Sequence, residues 1–560
     1  MSAAYPAPVR LPTELAVRPA RTLVREALAA AAVSAFLSAL LLRFGPPGTD
    51  LAAHLYQRSV FIEHGMALWN NFWYSGRYSF VNYSIGYYPL AALLGISLLA
   101  VLSIATSAFA FTMLVGRHWG PVALWSSRAF AVVWAAIVVS AAFPFALGVA
   151  LALLTLLALQ AGRYGWFAGS MVLVLAASPL AFLLLLVVVC SIGVVHLLDG
   201  SPVAWPALSV GVTAALGAVV WRLFPSSGRF PFSIQEALAA STFCVIGMAL
   251  SWRVAAARPL RYFFLLYLAA CLIAYGLPSA VGENIARMRF AAIPICILTL
   301  SLRRWRPLPV AATAMVLASF WNVSPLAASF AHGIRDPSAS AAYWQPAIHY
   351  LRYHLGPGYR VEAVDTVDHW EALYLPRAGV PLARGWFRQD DFPQNSVLYK
   401  QMGPKLYLAW LRRLGVRYVV LSRAPTDYSA KAEARLMRGP RSPLEPVFST
   451  ANLSIYAVPA ARPILSGPGE PRILSMSQDR ITVSTPGAGR YRLAVRYSPY
   501  WRNFNGCIAR AQDGMMRLIA FGSGTSELRF RMTASGAADA LASAHPKICW
   551  HPDWSDHAPH

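Results

Sequence analysis

Asp50 is the first residue of this chain whose type and place could do chemistry. It follows Pro46, Pro47 and Gly48 in the stretch PPGTDLAAHLYQRSVFIEHGMALWNNFWYSGRYSFVNYSIGYYP and opens a helical run. On a helix, Asp50, His54 and Gln57 or Arg58 fall on one face, because residues four and seven or eight apart line up along the axis. A carboxylate and an imidazole on such a face can take up a proton and hold a polar substrate. Asp is also a common helix N-cap, accepting a backbone N–H. Thr49 could cap instead, so both uses of Asp50 stay open. Glu63 and His64 end the same run, and each histidine is either a relay or ligand or an ordinary buried polar group.

Trp69, Asn70, Trp73, Tyr74 and Arg77 follow. Aromatic faces alternating with amide and guanidinium donors suit a sugar ring, with its apolar face and rim of hydroxyls. Trp and Tyr also gather at membrane interfaces whatever the function. A second set lies in GENIARMRF (282–290), expected as an outer loop: Glu283, Asn284, Arg287 and Arg289. The planar fork of arginine matches phosphate, although arginines near a helix end also snorkel to headgroups. A third set lies in ALYLPRAGVPLARGWFRQDDFPQN (372–395). There Trp386, Arg388, Gln389 and Asp390 could meet an acceptor, or the stretch is a surface loop. Asp390–Asp391 is an adjacent acidic pair that could take a divalent cation. Trp370 and Glu371, just upstream, are weaker candidates.

The elements that carry these residues are mostly apolar helices. Of the 560 residues 57% are apolar, and mean hydropathy is +0.47. That is far outside the range of soluble domains. Windows of about 20 apolar residues, enough to cross a ~30 Å hydrocarbon layer, recur through the first 330 residues. Expected spans are roughly 24–43, 88–115, 121–141, 145–161, 165–177, 180–198, 204–224, 235–254, 261–280, 290–302 and 308–328. Arg10, Arg18, Arg21 and Arg25 precede the first span without a convincing cleavage site. They place the N-terminus in the cytoplasm as an uncleaved helix. The cluster Arg303, Arg304 and Arg306 is a second inside signal. About eleven crossings follow, with 44–87 and everything after 329 outside, in a cell membrane. The net charge of +24 does not mark a nucleic-acid binder: only four of the 48 basic residues are lysine, and the arginines form no basic block.

After residue 330 the texture changes. YRVEAV (359–364) and VRYVVLS (416–422) look like buried strands, and 396–415 like an amphipathic helix ending at Gly415. From about 461, RITVST, RYRLAVRYS and ELRFRM alternate between turns, as in a small β-sandwich. The expected organisation is a transmembrane domain (1–330), an extracytoplasmic α/β domain (331–460) and an extracytoplasmic β-sandwich (461–560) that could bind carbohydrate. Cys507 and Cys549 are the two cysteines of the polar tail, and they are expected to pair if the tail is outside.

The pattern D-L-A-A-H-L-Y … F-I-E-H-G … W-N-N-F-W-Y-S-G-R-Y … Y-Y-P-L, set just after a first membrane helix, resembles the GT-C superfamily of membrane glycosyltransferases. It is similar to the bacterial YfhO-like and PTPS-related branches. The resemblance covers the first ~330 residues in architecture and residues 50–90 in detail. It implies a polyprenyl-phosphate sugar donor, a glycan or glycolipid acceptor and membrane lipids as partners, with Asp50 at the reaction centre. The superfamily's adjacent acidic pair is missing from this loop, so no cofactor is implied, and a divalent cation is left open. Two other readings stay on the page. One is a non-catalytic scaffold on the same frame. The other is a transporter or flippase of lipid-linked sugars, which would favour internal symmetry and midplane charges.

Overall fold

The computed structural model describes residues 20–225, 228–400 and 402–542. Arg10 and Arg18 lie outside the described residues. Two compact units emerge: one of residues up to Gly48 with Tyr83–Ala218 and Phe230–Ile334, the other of Thr49–Asn82, Val219–Arg229 and Arg335 onward.

The first unit is helical. Among the described residues nine helices are long and apolar enough to cross a membrane, and the chain is a multi-pass membrane protein. One of these, Ile96–Ser140, runs 45 residues and takes in two of the expected spans. Tyr164–Ala177 is apolar but only 14 residues long. Ser178 accepts a hydrogen bond from the Ala181 N–H and Pro179 opens the next helix, so the expected break at Ser178–Pro179 is where one helix stops and another starts. Two expectations need correction. The span expected at 88–115 is broken at Gly95, which ends Tyr87–Leu94 with φ +81 before Ile96–Trp119 begins. GENIARMRF is not a loop but a 3₁₀ turn sequence, Gly282–Ala291, running straight into Ala292–Leu302.

The second unit combines three four-stranded sheets. In one, Arg360–Ala363 pairs parallel to Val416–Ser422, and the antiparallel strands Leu453–Ala457 and Glu445–Ser449 extend it. The amphipathic helix Pro404–Leu414 feeds the second strand, and it stops because Gly415 takes φ +78. Tyr407, Trp410, Leu411 and Leu414 on its apolar face pack with Val416, Val419 and Leu421 into one core cluster. The other two sheets are antiparallel. Gly489–Arg496 lies between Leu465–Ser466 and Met515–Ala520, with Gly506–Arg510 at the edge. Arg480–Thr485 lies between Arg472–Met476 and Gly524–Phe530, with Trp501–Asn503 at the edge. Cys507 is disulfide-bonded, and Cys549 lies outside the described residues.

The loop between the first membrane helices is part of this second unit. It forms the helix Leu51–His64 and a short hairpin pairing Trp69 with Tyr78 and Asn70 with Arg77. Backbone bonds tie it in: Leu382 N–H to Phe72 O (2.8 Å), Asn71 N–H to Gln478 O (3.0 Å) and Arg496 N–H to Ser75 O (2.8 Å). Residues 219–229 join it likewise, as Tyr500 Oη donates to Leu223 O at 2.8 Å.

Candidate active site in the second unit

Asp50 is the N-cap residue of Leu51–His64, yet its side chain makes no capping hydrogen bond. It is 8% exposed, and His54 and Gln57 on the same face are buried. Gln57 accepts from Ser79 Oγ at 2.9 Å. The carboxylate is therefore not spent on holding the helix end, the commonest structural use of an aspartate in that place.

Leu51–His64 packs against the short helix Glu371–Arg377. The segment leading into that helix reads DTVDHWE (365–371), and it brings Asp365, Asp368, His369 and Glu371 into the interior together. Burial pushes the Asp368 carboxyl up to about 7, Asp336, Asp50 and Asp427 adding to the effect and His369 opposing it. Asp50 thus has a second carboxyl for a neighbour. Burial also raises Glu371, to about 8, against the pull of His369. At His369 burial works against the charged ring, but Asp365 outweighs it and holds the pKa above the usual value.

Two of the expected acceptor residues converge on His369. Arg388 Nη2 lies 3.4 Å from His369 Nε2 while donating to Asp427, and its guanidinium stacks 4.2 Å above the Tyr428 ring. The Trp386 ring stands edge-on to the imidazole at 6.3 Å. Asp365 Oδ2 in turn takes Arg384 Nη2 at 2.7 Å. Asp365, His369 and Glu371 offer one oxygen, one nitrogen and one oxygen within 4.8 Å of each other, a donor set that could hold a metal.

Other expected site residues turn out to be architecture. Trp69, Trp73 and Tyr74 are fully buried, so they are core rather than an open platform for a sugar. Trp69 stacks on Phe530 at 5.2 Å and meets Trp501 edge-on. Trp73 lies against Tyr56 at 4.5 Å and donates its indole N–H to Ala372 O at 2.9 Å. Asn70 accepts from the Phe72 N–H at 2.8 Å, shaping the hairpin turn. Arg77 and Asp390 form a buried ion pair at 2.6 Å. Asp391 is held instead by Arg384, Asn395 and Tyr399. The adjacent acids Asp390 and Asp391 are thus neutralised by different guanidiniums and do not present a joint cation site. Gln389 contributes its carbonyl, which accepts the Arg229 N–H at 3.0 Å. Glu63 is exposed, 3.9 Å from His64.

The second set lies in the membrane unit. Arg289 pairs with Glu236 at 3.2 Å, and Glu236 also accepts the Trp321 indole N–H at 3.0 Å. Asn322 donates to the Arg289 carbonyl at 2.5 Å. Arg287 stacks over Phe145 at 5.7 Å. Glu283 accepts the Ser233 N–H at 3.1 Å, and the Asn284 N–H bonds to Val281 O. Glu236 also borders a cavity of about 250 Å³ whose walls include Phe243, Phe264 and Trp321.

Sequence reasoning passed over Asp365, Asp368 and His369. The available signal was two acids and a histidine in the six residues before the Glu371 already singled out.

No protein-family model matches the chain, and neither does any curated protein. Solved structures do. The chain is similar to cryo-electron microscopy structures of the arabinofuranosyltransferase AftD from Mycobacteria. A variant of that enzyme matches at 15% identity and TM-score 0.45, covering 93% of this chain and 60% of the other. The enzyme itself matches at 15% and 0.42, covering 93% and 58%. The archaeal oligosaccharyltransferase AglB from Archaeoglobus fulgidus, in complex with an inhibitory peptide and a dolichol-phosphate, matches at 14% and 0.32, covering 72% and 69%. This chain spans about 60% of the length of the arabinofuranosyltransferase.

Proposed function

We propose that this chain is an inverting membrane glycosyltransferase. It takes a sugar from a polyprenyl-phosphate donor and adds it to a cell-envelope glycan or glycolipid on the outer face of the membrane. The observation that carries this reading is Asp50: a nearly buried carboxylate at a helix start that does not cap the helix and has Asp368 beside it. In this reading Asp50 accepts the proton of an acceptor hydroxyl as the oxygen attacks the anomeric carbon. The bond from that carbon to the phosphate oxygen breaks, and polyprenyl phosphate leaves with the electron pair. Base catalysis of this kind contributes about 10²–10⁴ in rate. Asp50 adds to the upward shift that burial gives Asp368, so the two carboxyls act on one another.

Arg388, held by Asp427 and stacked on Tyr428, and the half-buried Trp386 are assigned to the acceptor. Arg287 and Arg289 are assigned to the donor phosphate, with Glu236 keeping Arg289 in place until phosphate replaces it. The test is direct. Membranes containing the protein are given radiolabelled polyprenyl-phosphate sugars, arabinose and mannose first. Labelled glycan and free polyprenyl phosphate should appear together, and the product should have the opposite anomeric configuration to the donor. Retained configuration, or glycan labelling without released polyprenyl phosphate, would reject the mechanism.

A further inference from the structure

We propose that Asp365, His369 and Glu371 form a divalent-metal site, with zinc the best match. Three observations carry this. First, the donor types are right: one imidazole with two carboxylates is a set that zinc and manganese accept. Second, the spacing leaves room for an ion. His369 Nδ1 stands 3.6 Å from Asp365 Oδ2 and 3.6 Å from Glu371 Oε1. Neither distance is a hydrogen bond, and Nδ1, in a side chain only 4% exposed, has no hydrogen-bond partner. Bonds of about 2.0–2.2 Å in a tetrahedron put donor atoms roughly 3.3–3.5 Å apart. Third, the buried acids outnumber the guanidiniums. Glu362, Asp391, Asp427 and Glu433 are buried around the same centre, with Arg384 and Arg388 the guanidiniums among them. Both Glu362 oxygens are buried without a hydrogen bond. Buried carboxylates in excess of their counter-charges are costly, and a divalent ion offsets that cost.

The surroundings fit a ligand set. Thr366 Oγ1 donates to Glu371 Oε2 at 2.7 Å, turning Oε1 toward the imidazole. Arg384 fixes Asp365. On the other side of the ring His369 Nε2 faces Arg388 Nη2 at 3.4 Å, and Arg388 is itself held by Asp427. His369 itself has φ +53, unusual for a residue with a side chain, and this conformation turns the ring onto the two acids.

The test uses the full-length protein in detergent, stripped with a chelator and then titrated with Zn²⁺ or Mn²⁺ alone. About one equivalent of zinc per chain should be retained after desalting, with a raised unfolding temperature. Co²⁺ should give the visible absorption of a four-coordinate site in the unmodified chain, a readout that needs no variant to fold. His369→Gln and Glu371→Gln should each lower zinc affinity by tenfold or more, while Glu433→Gln, outside the donor set, should keep it. Zinc retention no higher than in a chelated blank, or uptake unchanged in both variants, would overturn the site. Glycosyl transfer is not the readout, so the result is independent of the activity proposed above.

Discussion

Arg77 and Asp390 lie 313 positions apart in sequence, and their ion pair ties the first loop to the tail. Arg77 Nε meets Asp390 Oδ2 at 2.6 Å, with the two side chains only 5% and 9% exposed. The guanidinium also lies 4.2 Å from the Phe387 ring centre. Removing one member of a buried pair leaves a charge without a counter-charge, which costs about 3–5 kcal/mol. Arg496 stands near Asp390 and donates to its carbonyl, so Arg77→Leu should fall near the lower end, about 3 kcal/mol. For a unit of this size each kcal/mol moves the midpoint by about 2–4 °C, giving a fall of roughly 6–12 °C. Replacing both residues by leucine removes the stranded charge. The double variant should then lose less than the sum of the singles, with a coupling of about 2 kcal/mol. The assay is thermal unfolding of the purified protein by tryptophan fluorescence at one scan rate, since unfolding of a membrane protein is commonly irreversible. Single variants within about 1 kcal/mol of the parent, and additive in the double, would mean the pair behaves as if exposed. The loop would then not be built into the tail as described.

Two further outcomes follow from packing and charge. Gly385→Ala puts a methyl 2.7 Å from Trp73 Cγ and 2.9 Å from Tyr74 Cε2, rings that are fully buried, so it should cost about 1–3 kcal/mol in the same assay. Glu433 faces Tyr407, Arg384, Asp365, Asp391 and Glu362, and burial raises its carboxyl to about 7. A raised carboxyl favours the folded state while protonated, so its contribution is full below its unfolded pKa of about 4.5 and fades as pH rises through 7. Glu433→Gln, which can still accept the Tyr407 hydroxyl, should flatten the decline of the unfolding temperature between pH 5 and 8; an unchanged slope would refute the assignment.

Much of this fold is written in local patterns. Apolar windows give away the membrane helices because the hydrocarbon layer demands ~20 residues whatever their partners. Val416–Ser422 and Arg480–Thr485 announce themselves by β-branched runs and alternation, and Gly415 by the helix stop it provides. The site was only half legible. Asp50 stands out because it follows a Pro-Pro-Gly-Thr turn. Its neighbour Asp368 does not, since more than three hundred residues separate them and nothing local encodes that approach. Trp69, Trp73 and Tyr74 have the composition of a sugar platform, but Trp501, Phe530 and Phe387, far along the chain, supply the faces that bury them. Arg77 reads as a ligand donor until Asp390 is found beside it. Asp365, His369 and Glu371 are plain in the sequence but ambiguous, because the spacing alone does not tell a solvated turn from a buried cluster.

The most direct measurement is sugar transfer by purified Asp50→Asn protein, beside its unfolding temperature. Asparagine keeps the size of the side chain and cannot take up the proton. The account predicts transfer reduced by about 10²-fold or more with the unfolding temperature unchanged. Transfer at the parent rate by a well-folded Asp50→Asn protein would contradict it and remove Asp50 from the chemistry.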